Sequence, residues 1–394
     1  MQITDTGNTP RRPALLDLGF RPFFLGGCVF ALLAIALWLL ALQQPHAPAP
    51  MGGWLAWHRH ELIFGFASAI IVGFLLTAVQ TWTGRPSLSG KPLAVLVVIW
   101  LVARLSWWSA MPLLLLAANL LFLLTAALTM GRLLWVVRQR RNYPTVGLLV
   151  LLAGVDLLML LGVASGNDGW QRQGAWAGVW LVAAMMGLIG GRVIPFFTQR
   201  GLNKERAVQP WPWLDWSLLA VTVALALGYV SGLALHTQWL VGVVFILLAL
   251  GHAARWWRWY DRAIWRVPLL WSLYLAYGWL VLACVAMAAW HFDMALPVTS
   301  ALHALTVGAM GGLILAMLAR ITLGHTGRPL VPPPGIAWAF ALLNLGGLFR
   351  VVGVQFWYPP SLWLAGVCWC AAFGLFLYRY GPMLWRARVD GQAG

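Results

Sequence analysis

Apolar runs long enough to cross a bilayer recur along the chain from Phe20 onward, broken by short stretches rich in charge, proline and glycine. A hydrocarbon core of about 30 Å takes roughly 20 helical residues. Twelve runs approach or exceed that length, at positions 20 to 42, 57 to 82, 92 to 109, 111 to 137, 144 to 166, 172 to 198, 212 to 234, 238 to 260, 267 to 291, 298 to 323, 334 to 356 and 361 to 380. The pair at 92 to 137 is divided only by Ser109-Ala110-Met111-Pro112. The pattern predicts an all-α, polytopic membrane protein of 12 transmembrane helices in a single transmembrane domain.

Composition narrows the class further. With 61% hydrophobic and 9% charged residues the chain is no water-soluble domain. The net charge of +16 would suit a nucleic-acid partner if the basic residues formed a face. They alternate with the spans instead, at Arg11, Arg12, Arg85, Lys91, Arg138, Arg140, Arg141, Arg200, Lys204, Arg206, Arg255, Arg258, Arg262, Arg386 and Arg388. By the positive-inside rule this predicts both termini in the cytoplasm, a lipid bilayer as partner and no nucleic acid. The first apolar run is too long for a signal-peptide core, and its outer flank lacks a cleavage site, so it reads as a retained helix. Arg11-Arg12 resembles a twin-arginine signal only weakly. Cys28, Cys284, Cys368 and Cys370 lie inside spans, with no CxxC pair and no CxxCH for covalent haem, and read as packing residues. Many of the 27 tryptophans, Trp54, Trp57, Trp107 and Trp239 among them, fall near span ends as an aromatic belt would.

Spans two, six and ten share a pattern. Residues 60 to 86 and 303 to 329 each open on His, carry Gly five positions on (Gly65, Gly308) and close on Thr-Gly-Arg-Pro. Span six ends similarly, with Thr198-Gln199-Arg200 matching Thr326-Gly327-Arg328 and Arg192 opposite Arg320. This predicts three pseudo-repeats of four helices, at about 15–138, 139–265 and 266–390, unlike the inverted repeats of many transporters.

The chemistry collects at one end. Topology assigns His46, His58, His60, His236, His291 and His303 to the outer side, and His252 and His325 to the cytoplasmic side. His46 and His236 fall in loops and read as solvated. His303 sits about one turn inside span ten, where an ionisable group is expensive without a partner, and the repeat puts His60 at the same depth in span two. Two neutral imidazoles facing each other at one height suit a six-coordinate haem iron; the alternative is a pair of histidines bonded to backbone carbonyls. His58 and His60 lie about 200° apart around a helix and serve different neighbours. His58 shares a face with Glu61, a candidate second metal site that His291 would complete, although His291 reads equally as an interfacial residue. Residue type alone does not choose among copper, iron and zinc. Glu61 has three readings: ligand, proton relay, or counter-charge of Arg59.

Arg104 in span three and Arg350 in span eleven lie 246 residues apart, within one turn of the 243 that separate His60 from His303. Both suit the propionates of a haem held between spans two and ten, and Arg59 is a further cofactor-binding candidate; the alternative for Arg104 and Arg350 is snorkelling to lipid headgroups. On the cytoplasmic side Asp17, Arg21 and Arg192 are candidate mutual partners. Asp156, alone near the middle of span five, reads as a proton-path member or a neutral buried carboxyl.

These residues resemble the NnrS family of bacterial membrane proteins over all twelve spans. The resemblance rests on GFRPFF (Gly19 to Phe24), WHRHELIFGFASA (Trp57 to Ala69), GRVIPFFT (Gly191 to Thr198), HALTVGAMGG (His303 to Gly312) and GHTGRPL (Gly324 to Leu330). It implies non-covalent haem b and copper in the bacterial cytoplasmic (inner) membrane, and a role in the response to nitric oxide and nitrosative stress. It does not by itself imply a reaction. The four-helix repeat also resembles the catalytic subunit of haem-copper oxidases and nitric oxide reductases, whose spans two and ten carry haem histidines. This chain departs from that pattern: span ten lacks the His-x-His, and spans six and seven lack the copper triad, so copper is expected elsewhere, with His58 and Glu61 the first candidates.

Three functions compete. The first is a haem protein, with copper, that binds or reduces nitric oxide near the outer face, drawing electrons from a quinol or a cytochrome. The second is a multi-pass transporter of a metal or nitrosylated iron species. A sensor or assembly factor ranks third, since the chain carries no soluble signalling domain.

Overall fold

The computed structural model describes residues 14–44, 46, 48–206 and 208–391; Arg11 and Arg12 lie outside them. Twelve described helices are long and apolar enough to cross a membrane: α1 (Phe20–Gln43), α2 (Gly53–Thr83), α3 (Gly90–Trp108), α4 (Pro112–Val136), α5 (Arg140–Ser165), α6 (Asp168–Gly201), α7 (Pro212–Val230), α8 (Trp239–Arg258), α9 (Pro268–His291), α10 (Val298–His325), α11 (Ile336–Phe356) and α12 (Pro360–Trp385). No strand occurs among the described residues. The division at Ser109–Pro112 holds, with proline opening α4, where a missing N–H costs nothing. α2 starts four residues before the expected limit, because Gly52 takes the left-handed backbone that begins it. α6 runs on past Pro195 to Gly201.

Burial sorts the helices into an inner and an outer set. Over their most apolar 18 residues α2, α6 and α10 are each 78% buried, against 33 to 67% for the other nine. The three spans with shared sequence patterns are therefore the three at the centre. The shared Thr-Gly closes α2 and α10 alike: Thr83 donates its hydroxyl to Val79 O and Thr326 to Thr322 O, while Gly84 and Gly327 turn left-handed at φ 66° and 73°. That is the backbone a helix end favours and glycine adopts freely.

GFRPFF is architectural. Phe20, Phe23 and Phe24 are fully buried, and a side chain at Gly19 would come within 2.9 Å of Leu76. Arg21, also fully buried, donates to Leu384 O (3.1 Å) and Arg386 O (2.7 Å) at the end of α12. The start of α1 and the end of α12 are thereby joined at one face of the bundle, where His325 of α10 lies beside Phe20, and His58, His60, His291 and His303 lie toward the other.

α2 and α10 are not continuous α-helices. A π-helical segment, Glu61–Ala67, begins directly after His60, and another, Ala304–Gly311, directly after His303. α11 contains a third, Phe349–Gly353, around Arg350. Such wide turns re-aim side chains and concentrate at functional sites.

Candidate functional site

Two clusters of polar groups lie at the end of the bundle away from Arg21, the first buried and the second half-buried. In the first, His60 is fully buried and bonded through both ring nitrogens: Nδ1 to Glu61 Oε1 at 2.8 Å and Nε2 to Asp156 Oδ1 at 2.7 Å. Glu61 Oε1 also accepts from Trp107 Nε1 at 2.8 Å and faces Arg104 Nη1 at 3.2 Å. That last contact is an ion pair without hydrogen-bond alignment. Arg104 Nη2 donates to Asn119 Oδ1, and Asn119 in turn donates to Leu115 O at 2.8 Å. Two carboxylates, one guanidinium and one imidazole are thus packed together from α2, α3 and α5, with Asn119 of α4 behind them. With both His60 nitrogens donating, the four groups sum to zero charge, which makes burial of so many ionisable groups tolerable. Glu61 Oε2 and Asp156 Oδ2 are buried without a partner.

The local sequence explains why these groups meet. A Cβ at Gly65 would overlap Arg104 Nη1 and come within 3.0 Å of Phe30, so only glycine lets the guanidinium reach Glu61. Trp100 Nε1 donates to the carbonyl of the same Gly65 at 2.9 Å, pinning α3 to the π-helical turn of α2. Gly308 plays the matching part in α10: a Cβ there would collide with the ring of Trp279, whose Nε1 donates to Asn344 Oδ1 at 2.9 Å.

The second cluster holds His58, His303 and Arg350. His58 stacks on Trp38, with centroids 4.5 Å apart and ring planes 17° from parallel, and its buried Nδ1 has no hydrogen-bond partner. His303 donates from Nδ1 to Thr299 O at 2.6 Å. That bond fixes the neutral tautomer and leaves Nε2 a lone pair, the state in which histidine ligates a metal. His58 and Arg350 are both within electrostatic reach of His303, and Arg350 also acts on His58.

Several expectations for individual residues change. His60, expected to share an iron with His303, has both nitrogens committed to carboxylates, so the imidazole near His303 with a free nitrogen is that of His58. Glu61 turns toward His60, Trp107 and Arg104 and has no hydrogen bond to His58. Arg59 does not supply its counter-charge; it pairs with Asp168 at 2.9 Å. Arg104 is engaged by Glu61 and Asn119, which leaves Arg350 as the arginine beside the histidine pair. Asp156 is not alone, since it holds His60. His291 sits apart at the end of α9, stacked on Phe245, and its Nδ1 accepts from Gln238 N–H at 3.2 Å. Its other nitrogen is therefore an N–H donor, which does not ligate a metal. Among the described residues no group of three or more His, Cys, Asp or Glu side chains is arranged to hold a metal ion.

At the termini end, Arg192 donates to Asn142 Oδ1 at 2.7 Å and to Arg141 O at 3.0 Å, not to Asp17 or Arg21. A polar group missed in the sequence lies nearby. His252 Nδ1 and Tyr277 OH are 2.7 Å apart, while Arg255 pairs with Asp215 at 3.3 Å and donates to Gly187 O at 3.0 Å. A Cβ at Gly191 would overlap Arg255 Nη2, so Gly191 of GRVIPFFT keeps room for that side chain. Trp107 and Asn119 were missed as well. An asparagine inside an otherwise apolar span was the available signal for one, whereas Trp107 was indistinguishable from its belt neighbours.

No curated relative matches the chain. The family model described as NnrS protein matches residues 14–388, which takes in every span and both clusters, and the chain belongs to the NnrS family.

Proposed function

We propose that this membrane protein binds haem between His58 of α2 and His303 of α10 and acts through it in the cellular response to nitric oxide. The observation that carries the reading is the state of these two rings. His303 is oriented by Thr299 so that Nε2 is free, and His58 presents an unpartnered buried nitrogen within electrostatic reach of it. A buried imidazole nitrogen left unbonded costs about 1–3 kcal/mol, which ligation would offset. Trp38 fixes the plane of the His58 ring, and Arg350 supplies the positive charge that carboxylate side groups require. A haem held there by His58 and His303 would supply a one-electron iron couple and, were one imidazole to let go, a place for a diatomic ligand. Copper enters through the family resemblance, with no ligand set of this chain assigned to it. The bacterial inner membrane with both termini cytoplasmic, which puts the two histidines near the outer face, is supported by the distribution of arginine.

The test is spectroscopic. The protein is purified in detergent from haem-replete cells, its iron and copper are counted, and oxidised and reduced spectra are recorded with and without nitric oxide. His58→Ala and His303→Ala should each remove most of the Soret band, and nitric oxide should shift the reduced spectrum of the unmodified protein. Full haem content in both variants, or a colourless unmodified protein, would overturn the reading.

A further inference from the structure

His291, which the proposed haem site does not use, borders an open depression of about 500 Å³ lined by Thr237, Trp239, His291, Phe292 and Asp293. That volume lies within the range of small-molecule sites. The His291 side chain is 2% exposed, and its Nε2 has no hydrogen-bond partner. Because Nδ1 accepts from Gln238 N–H, the neutral ring carries its proton on Nε2, so the unsatisfied group is a donor. Asp293, within electrostatic reach of His291, adds an acceptor on the same rim.

The carboxylate is held in place by the backbone. α9 ends in a Schellman cap, with Asp293 N bonded to Trp290 O and Met294 N to Ala289 O, both 3.0 Å, and Asp293 left-handed at φ 55°. Left-handed non-glycine residues also follow α4 at Arg138 and α6 at Asn203, so the backbone alone does not mark Asp293; its place beside an unsatisfied N–H does. Phe292, which lines the depression, is seated on Gly242 of α8, where a Cβ would come within 2.6 Å of its ring. The neighbouring surface is apolar: Trp239, Leu240 and Met294 are 67%, 71% and 61% exposed.

One unsatisfied N–H donor on a lining residue, one exposed carboxylate, an aromatic lining and an apolar approach favour one class of ligand. It is a neutral aromatic ring whose hydroxyl can accept from His291 and donate to Asp293, on a molecule that resides in the bilayer. A phosphodiester headgroup would gain the His291 bond but meet the charge of Asp293. We propose that this depression binds the headgroup of a lipid-soluble quinol. The proposal stands on the depression alone and does not depend on haem at His58 and His303.

The test measures binding of a short-tailed benzoquinol to the detergent-purified full chain by equilibrium dialysis under anaerobic conditions. The unmodified protein should bind about one equivalent saturably. His291→Phe, which keeps the ring but removes the N–H, and Asp293→Asn should each weaken binding about ten-fold or more, with helical content and melting temperature as fold controls. Thr237→Trp, which leaves both polar groups and fills the depression, should block it. A parallel arm adds phosphatidylethanolamine, whose phosphate and ammonium could use the same two groups. Absence of saturable binding, equal affinity in all three variants, or complete displacement by phosphatidylethanolamine at equimolar concentration would each overturn the proposal.

Discussion

His60 of α2 donates from Nε2 to Asp156 of α5 at 2.7 Å, with both residues at 0% exposure. The bond crosses between two helices of the bundle, so the charge of one is matched only while the other stays in register. Removing one member of a buried charged pair costs about 3–5 kcal/mol, because the survivor is left uncompensated. Asp156→Ala should lose stability on that scale, and Asp156→Asn, which keeps an acceptor but removes the charge, should lose less. Unfolding in mixed micelles reads both. An Asp156→Ala protein as stable as the parent would mean that the four-group cluster contributes nothing to the fold.

Glu61 and Arg104 form the other half of the cluster and should be strongly coupled. Each single change, Glu61→Gln or Arg104→Gln, strands the opposite charge beside His60 and Asp156, whereas the double change restores neutrality. The double variant should therefore be more stable than the sum of the two losses predicts, by about 1–3 kcal/mol. Additive losses in a double-mutant cycle would show that the 3.2 Å contact is incidental.

The outlines of this molecule were legible because the bilayer imposes them. All twelve spans could be read from apolar length, and the histidine-bearing spans two and ten from their shared ends. Which residue met which was not legible. A helical wheel separates His58 from His60 but cannot say which turns toward α10 and which toward α5, and the π-helical turns after His60 and His303 are invisible to a 3.6-residue period. Of the three readings of Glu61, the one that pairs it with Arg59 rests on closeness in sequence alone. The real partner, Arg104, reaches it through the space left at Gly65, a contact fixed by packing between helices. Asp156 seemed isolated because its partner lies 96 residues away.

Glycine substitutions separate close approach from simple helix weakness. Gly65→Ala would collide with Arg104, and Gly308→Ala with Trp279. Each should destabilise by about 1–3 kcal/mol, as overpacking does. Gly147, a helical glycine of α5 with open space around its Cβ position, is the control. Gly147→Ala should be neutral or stabilise by up to about 1 kcal/mol, through lower entropy of the unfolded chain. Equal effects at all three positions in the same unfolding assay would remove the packing argument.

Arg21 closes the bundle at the opposite end from His58, His60 and His303. Its Nη1 donates to Leu384 O at 3.1 Å and Arg386 O at 2.7 Å, with a longer contact to Met383 O at 3.4 Å. These carbonyls lie where α12 ends and have no further helical turn to donate to them. A cation at a helix C-terminus also opposes the negative end of the macrodipole. Hydrogen bonds to a charged donor contribute about 1.5–3 kcal/mol, so Arg21→Met should cost that much and let the last turn of α12 fray. Lysine carries the charge on a more strongly hydrated ammonium, and Arg21→Lys should recover only part of the loss. Hydrogen exchange resolved along the chain distinguishes this from general destabilisation: protection should fall first around 383–386 and in the first turn of α1. Uniform loss of protection across all twelve spans would place the role of Arg21 elsewhere than in joining the chain ends.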